Sequence, residues 1–135
     1  MTKIYKTREG EATALNTKSQ LTTVGSETAP GPLLVPSGAK QISRVIIAGM
    51  ENMAAATSFE GLIRLEGPGL PGGPEVFAAR AGGAGVATGG NASDPAQVID
   101  IAIPVTPGNE VLIFAEMSGT DVGQVSYAVT LCFDK

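Results

Sequence analysis

Gln97-Val-Ile-Asp-Ile-Ala-Ile103, Glu110-Val-Leu-Ile-Phe-Ala-Glu-Met117 and Gln124-Val-Ser-Tyr-Ala-Val-Thr-Leu-Cys-Phe-Asp134 are three apolar runs. Two turn-rich breaks separate them, Pro104-Val-Thr-Pro-Gly-Asn109 and Ser118-Gly-Thr-Asp-Val-Gly123. Ile99, Ile101 and Ile103 alternate with Asp100 and Ala102. Val125, Tyr127, Val129, Leu131 and Phe133 alternate with Ser126, Ala128, Thr130 and Cys132. Spacing of two residues puts each apolar set on one face of a strand, against a core. The pattern reads as a β-meander. A short turn joins its last two strands, so they are expected to be antiparallel neighbours.

Working outward, the same period gives strands near 41–49, 58–66, 75–80, 97–103, 109–117 and 122–133. Val45 to Ala48 are apolar on both faces, which places that strand centrally in a sheet. In Phe59-Glu-Gly-Leu-Ile-Arg-Leu-Glu66, Phe59, Gly61, Ile63 and Leu65 face inward, and Leu62 breaks the alternation. Ile47, Phe59, Ile63, Ile101, Ile113, Tyr127, Val129 and Leu131 are the expected core. Met50-Glu-Asn-Met-Ala-Ala-Ala-Thr57 is the one stretch rich enough in helix formers to predict a short helix. Residues 67–74 and 82–95 are long Gly/Pro/Ala-rich loops, expected to dock on a neighbour or to be displayed outward. Pro36-Ser-Gly-Ala-Lys40 and Pro107-Gly-Asn109 echo each other as two similar turns, each launching an apolar strand.

The first 30 residues differ. Lys3, Lys6, Arg8 and Lys18 against Glu9 and Glu11 leave +2 on the first 18 residues and −6 on the remainder of a chain whose net charge is −4. Ala12, Ala14 and Leu15 are too sparse for a core stripe. Residues 1–30 therefore read as an extended arm or a peripheral strand that pairs elsewhere, and 31–135 as one β-sandwich domain. Tyr5, Leu15, Leu21 and Val24 are spaced through the arm like anchors.

Composition narrows the function. Gly at 18 and Pro at 9, with 16% charged residues, suit an all-β chain partly covered by neighbours. A net −4 argues against nucleic-acid binding by the body. No stretch approaches a membrane-spanning helix, and the basic, polar start has no signal-peptide apolar region. The absence of His removes Ser-His-Asp and Cys-His catalysis and most zinc sites. Cys132, the single cysteine, excludes an intrachain disulfide and reads as a small apolar residue.

The remaining motifs point to turns and surface. Ser37-Gly-Ala-Lys40 matches the acylating Ser-x-x-Lys, but opens a strand without the partner motifs. Gly82-Gly-Ala-Gly-Val-Ala-Thr-Gly-Gly90 lacks the Gly-Lys-Ser/Thr of a phosphate loop. Asp94, Asp100 and Asp121 offer calcium ligands but no run of Asp-x-Asp-x-Asp-Gly. Asn91-Ala-Ser93 is a glycosylation sequon, meaningful in a secreted eukaryotic protein. With no Trp, two Tyr and four Phe, there is no aromatic platform for a sugar. No catalytic residue, cofactor or metal ligand is assigned.

Val35-Pro-Ser-Gly-Ala-Lys-Gln-Ile-Ser-Arg-Val-Ile-Ile-Ala48, Ile103-Pro-Val-Thr-Pro-Gly-Asn-Glu-Val-Leu-Ile113 and the closing strand to Phe133 carry a resemblance. From Leu33 to Phe133 the chain resembles single jelly-roll structural proteins of viruses, capsid subunits or head-decoration proteins. The resemblance implies an all-β, two-sheet antiparallel sandwich of jelly-roll type with an extended N-terminal arm. It further implies a non-enzymatic subunit of the virion that self-associates through edges, loops and an arm crossing to a neighbour, with a second structural protein as a further partner. The competing reading is a β-sandwich module that binds carbohydrate or a host surface. Exposed aromatics would favour the module, and buried aromatics the subunit.

Overall fold

The computed structural model describes residues 2–14, 16–24, 31–53, 59–81, 91–119 and 123–135. Side chains at 50–53, 59–60, 79–81, 91–95, 118–119 and 123–125 lie outside the description. The strands are β1 (Lys3–Ala12), β2 (Ser19–Gln20), β3 (Leu33–Leu34), β4 (Gln41–Met53), β5 (Phe59–Glu66), β6 (Glu75–Ala81), β7 (Asn91–Pro104), β8 (Glu110–Gly119) and β9 (Gly123–Asp134).

They form two antiparallel sheets, one ordered β1-β9-β4-β7 and the other β2-β8-β5-β6. The two-residue β3 pairs with β8 at Leu33 and Leu34, beyond the pairing of β2 at Ser19 and Gln20. Setting β3 aside, the eight remaining strands run first-eighth-third-sixth over second-seventh-fourth-fifth. That order is the jelly roll, and the expected sandwich is the fold of the chain.

The core lies between the sheets. Ile42, Val45 and Ile47 of β4 and Tyr127, Val129, Leu131 and Phe133 of β9 come from one sheet. Ile63, Leu65, Val111, Ile113, Ala115 and Met117 of β5 and β8 come from the other. Every expected core residue whose side chain is described is in this cluster or packs against it, Ile101 being half-buried at its margin. Phe59 falls outside the described side chains. β4 is central, hydrogen-bonded to β9 on one side and β7 on the other.

A slot of glycines shapes the middle of this core. Tyr127 is flanked in register by Gly10 of β1 and Gly49 of β4. A Cβ on Gly49 would overlap the Tyr127 ring, and one on Gly61, across the sandwich in β5, would overlap the phenol oxygen.

Four expectations need correction. First, β8 and β9 are not neighbours in one sheet: β9 pairs with β1 and β4, and β8 with β2, β3 and β5. Each carries a long apolar face, and placing the two in opposite layers turns both faces into one core. The breaks between β7, β8 and β9 therefore cross the sandwich. Second, the expected helix at 50–57 is not formed through Met53. Met50 to Met53 continue β4, because β9 offers ladder partners as far as Gly123, and two-sided pairing outweighs the helix preference of Met and Glu. Residues 54–58 lie outside the described residues.

Third, of residues 1–30, expected as an extended arm or a peripheral strand that pairs elsewhere, the described stretch Lys3–Ala12 is an edge strand of the chain's own sandwich. Lys3–Ala12 pairs residue for residue with β9 from Asp134 to Val125, and Ala12 and Leu21 are core. Sparse apolar residues suffice here because an edge strand needs little burial. Lys6 and Arg8, on its inner side, reach the rim, where Lys6 donates to the Leu34 carbonyl at 3.3 Å and Arg8 to that of Gly31 at 2.9 Å. Fourth, the loop at 67–74 docks on its own chain. Gly69 donates to the Glu110 carbonyl at 2.8 Å and Leu70 is buried. Of the second loop, 91–95 belongs to β7 and 82–90 lies outside the described residues.

The echoing turns are a matched pair. Ala39 N donates to Pro36 O at 3.1 Å and Asn109 N to Thr106 O at 3.3 Å. Gly38 and Gly108 hold φ of +80° and +81°, the third position of a type II turn. The two turns lie side by side, tied by Val35 N to Asn109 O at 2.9 Å and Gly108 N to Val35 O at 3.0 Å.

Candidate functional site

Alternation leaves each sheet an outer face, and the chemistry that β1 brings lies there. The three arm residues that are described, Tyr5, Leu21 and Val24, are not brought together. Tyr5 projects outward, 53% exposed, while Leu21 is core. Val24 is half-buried next to Thr23, which bridges Glu9 through Glu9 N to Thr23 O at 2.7 Å. Leu15 lies outside the described residues.

The strongest polar constellation on the first sheet centres on Asp134, buried to 4% exposure at the end of β9. Its carboxylate accepts from Lys3 Nζ at 2.8 Å, Ser43 Oγ at 2.8 Å and Gln41 Nε2 at 2.9 Å. Hydrogen bonds from Lys3, Gln41 and Ser43 hold its pKa down at about 2, since donors to a carboxylate favour its charged form. The bond to Asp134 raises Lys3 in turn. The result is a staple across β1, β9 and β4.

Beside it a cleft of about 180 Å³ is lined by Lys3, Tyr5, Ser43, Arg44, Asp100 and Cys132. Arg44 Nε donates to Asp100 at 2.7 Å, which strengthens its hold on the proton. Hydrogen bonding to Cys132, its register partner, pushes the Tyr5 phenol up. Cys132 is buried, with Ser43 Oγ 3.6 Å from its sulfur. Both carboxylates are consumed by cations of adjacent strands, so the cleft offers inter-strand fastening rather than a nucleophile with a base.

A wider groove of about 500 Å³ runs over Ala48, Ser126 and Ala128, rimmed by Glu9, Glu11 and Thr23. Its floor is small side chains and the bare backbone of Gly10 and Gly49, with the Ser126 hydroxyl among them.

The outer face of the second sheet is different. Leu112, Phe114 and Glu116 of β8 lie beside Leu62, Arg64 and Glu66 of β5, with Val76 and Ala78 of β6 beyond. Arg64 Nε meets Glu116 at 2.6 Å. Lys18 lies over the Phe114 ring, 4.7 Å from its centroid, and bonds both oxygens of Glu66.

The motifs singled out in the sequence fall elsewhere. Ser37 is the second residue of the first type II turn, and Lys40 follows that turn. Asp100 pairs with Arg44, while the side chains of Asp94 and Asp121 lie outside the description. Among the described residues no three of Cys, Asp and Glu are grouped as a metal site would need. Sequence reasoning missed Asp134 and Lys3, whose pairing across the sheet spans 131 positions. It also passed over Leu112 and Phe114 as outward residues. Leu62, which broke the alternation, was the available signal for that face.

No protein-family model and no curated protein matches the chain. Among solved structures the chain is similar to chains of infectious bursal disease virus. The VP2 subviral particle matches at 15% identity and TM-score 0.39, over 98% of this chain and 37% of that one. The virus-derived T=1 particles match at 15% identity and TM-score 0.33, over 96% and 36%. The Gt strain matches at 14% identity and TM-score 0.32, over 96% and 38%. The chain thus spans little more than a third of each of those chains. Likeness of this degree bears on no activity or partner, and the fold assignment rests on the strand order itself.

Proposed function

We propose that the chain is a non-enzymatic structural subunit of a viral particle, either a shell subunit or a decoration protein on its surface, which works by self-association. The observation that carries this reading is the jelly-roll strand order, combined with ion pairs on the outer faces, Lys3 with Asp134, Arg44 with Asp100 and Arg64 with Glu116, that fasten neighbouring strands. Jelly rolls also serve lectins and cupins, and fold alone does not fix function. What favours a subunit is the placement of the aromatics. Tyr127 and Phe133 are core, and Phe77 and Phe114 half-buried, so among the described residues Tyr5 alone is a largely exposed ring. A sugar-binding module would present a platform of rings. β1 keeps a reduced form of the role expected of an arm, offering Tyr5 as a contact to a neighbouring copy or a second structural protein.

The test is the mass of the purified protein in solution over a dilution series, with electron microscopy of the concentrated sample. Discrete oligomers or closed particles are expected. A monomer at every concentration would overturn the reading. Retention on a glycan array would put the module in its place.

A further inference from the structure

We infer that the free edge of β1 is a two-fold contact between copies of this chain, in which residues 3–7 of each copy pair antiparallel about Tyr5. The two sheets end on β1, β7, β6 and the two-residue β2. A long regular edge invites another strand, while bulges, prolines and brevity discourage one. The ladder of β7 on β4 slips between Ile42 and Arg44 and again between Ile47 and Gly49, and β7 holds Pro95 and ends on Pro104. The ladder of β6 on β5 slips between Gly61 and Leu62. That of β1 on β9 runs from Lys3 to Ala12 without a slip. Among the described residues β1 is therefore the long edge left regular.

Its backbone groups fix the register. Glu9 exchanges two bonds with Thr23, Glu9 N to Thr23 O at 2.7 Å and Thr23 N to Glu9 O at 3.2 Å. The odd-numbered residues of β1 thus turn their N–H and C=O away from β9. Thr23 closes this edge at Glu9, and Thr7 O accepts from Arg8 Nη1 at 2.9 Å. The outward groups of Lys3 and Tyr5 and the N–H of Thr7 have no partner among the described residues. Two antiparallel copies engage all three residues in one register, with Tyr5 opposite Tyr5 and Lys3 opposite Thr7. A shift of two residues one way runs Lys3 onto Glu9, which Thr23 occupies, and the other way runs Thr7 past the start of β1.

Side chains choose the occupant. Lys6 and Arg8 point to the inner side, and an added strand with an apolar inner side would have to bury against them. A second β1 instead sets Ile4 beside Lys6 and Thr2 beside Arg8, so both cations keep the carbonyls of Leu34 and Gly31. On the outer side Tyr5, 53% exposed, gains an aromatic cross-strand pair with Tyr5 of the other copy. Lys3 lies diagonal to Glu9 of the other copy, and no like charges stand directly opposite. The two Lys6 side chains are diagonal, and each ammonium is drawn back to a Leu34 carbonyl. A strand that complements itself under antiparallel pairing meets its copy across a two-fold axis. So short a ladder is weak between two isolated chains and effective when repeated in an assembly. It rests on the reading of the chain as a self-associating subunit.

The experiment is sedimentation of the full chain over a dilution series against Tyr5→Pro, with Tyr5→Phe as the conservative control. Proline removes one outward N–H, leaves the bonds to β9 in place and is tolerated at such an edge position. Two-fold symmetry repeats the loss in both copies, so Tyr5→Pro is expected to associate about ten-fold more weakly or worse, with little change in melting temperature. Tyr5→Phe is expected to match the parent. By hydrogen exchange the Tyr5 amide is expected to be fast in the dilute chain and slow in the associated one, with Ile4 and Lys6 slow in both. Photo-oxidation of the associated parent is expected to yield dityrosine, and Tyr5→Phe none, because Tyr127 is buried. Unchanged association in Tyr5→Pro, a Tyr5 amide already slow in the dilute chain or still fast in the associated one, or an associated parent without dityrosine would overturn this contact while the subunit reading stands. A parent chain that never associates would overturn both.

Discussion

The phenol of Tyr127, from one sheet, ends against the α-carbon of Gly61 in the other. A side chain of any size at 61 occupies the position of the phenol oxygen. Gly61→Ala is therefore expected to destabilise the fold by about 1–3 kcal/mol, the usual cost of forcing atoms into a packed core. Adding Tyr127→Phe removes the atom in the way, so the double variant should lose less than the two single losses combined. Denaturant unfolding of the four proteins measures this coupling. Strict additivity would show that the two residues do not meet.

Leu131 is fully buried at the centre of β9, between β1 and β4. Leu131→Ala is expected to cost about 2–5 kcal/mol by the same measurement. A loss under about 0.5 kcal/mol would place the wrong side of β9 in the core.

Asp134 makes stability depend on acid. Its pKa is about 2 in the fold against an ordinary 3.8. The unfolded chain therefore binds the proton first as pH falls, and the stability from this group is present above pH 3.8 and lost on the way down to pH 2. Asp134→Asn should flatten the part of the stability curve between those two values and leave its shape above pH 5 unchanged. A variant with the same acid slope as the parent would remove Asp134 as its source.

Gly108 offers the opposite case to Gly61. Its φ is +81°, and no atom stands within 4 Å of an added Cβ. Gly108→Ala should cost about 1–2 kcal/mol through backbone strain alone, and no second-site truncation should recover it. Gly38, with φ +80° and equally open surroundings, should behave alike. Thermal melts of the two variants check this, and an unchanged melting temperature would contradict it.

What the sequence conveyed was the inner side of β4, β5, β7, β8 and β9. Val125 to Phe133 and Ile99 to Ile103 declare their faces through alternation, because burial acts on one residue at a time. It did not convey which strand lies beside which. The short turn between β8 and β9 is as compatible with crossing the sandwich as with a hairpin, and only the partners already flanking β9 decide. β1 was obscured because an edge strand can place Lys6 and Arg8 inward and still satisfy them at the rim. The Asp134 staple was invisible for the same reason: its members meet only through a register that no local pattern specifies. The apolar outer face showed itself only at Leu62.

That register has a cost in time. β1 is made first, yet its ladder partner β9 follows more than a hundred residues later, with Lys3 opposite Asp134. At roughly 5–20 residues per second, a ribosome leaves β1 unzipped for about 6–25 s. Until then β1 is a bare edge whose polar inner side, Lys6 and Arg8, gives other chains little apolar surface to hold. The residues that make β1 look unlike a core strand are the ones that keep it soluble while it waits.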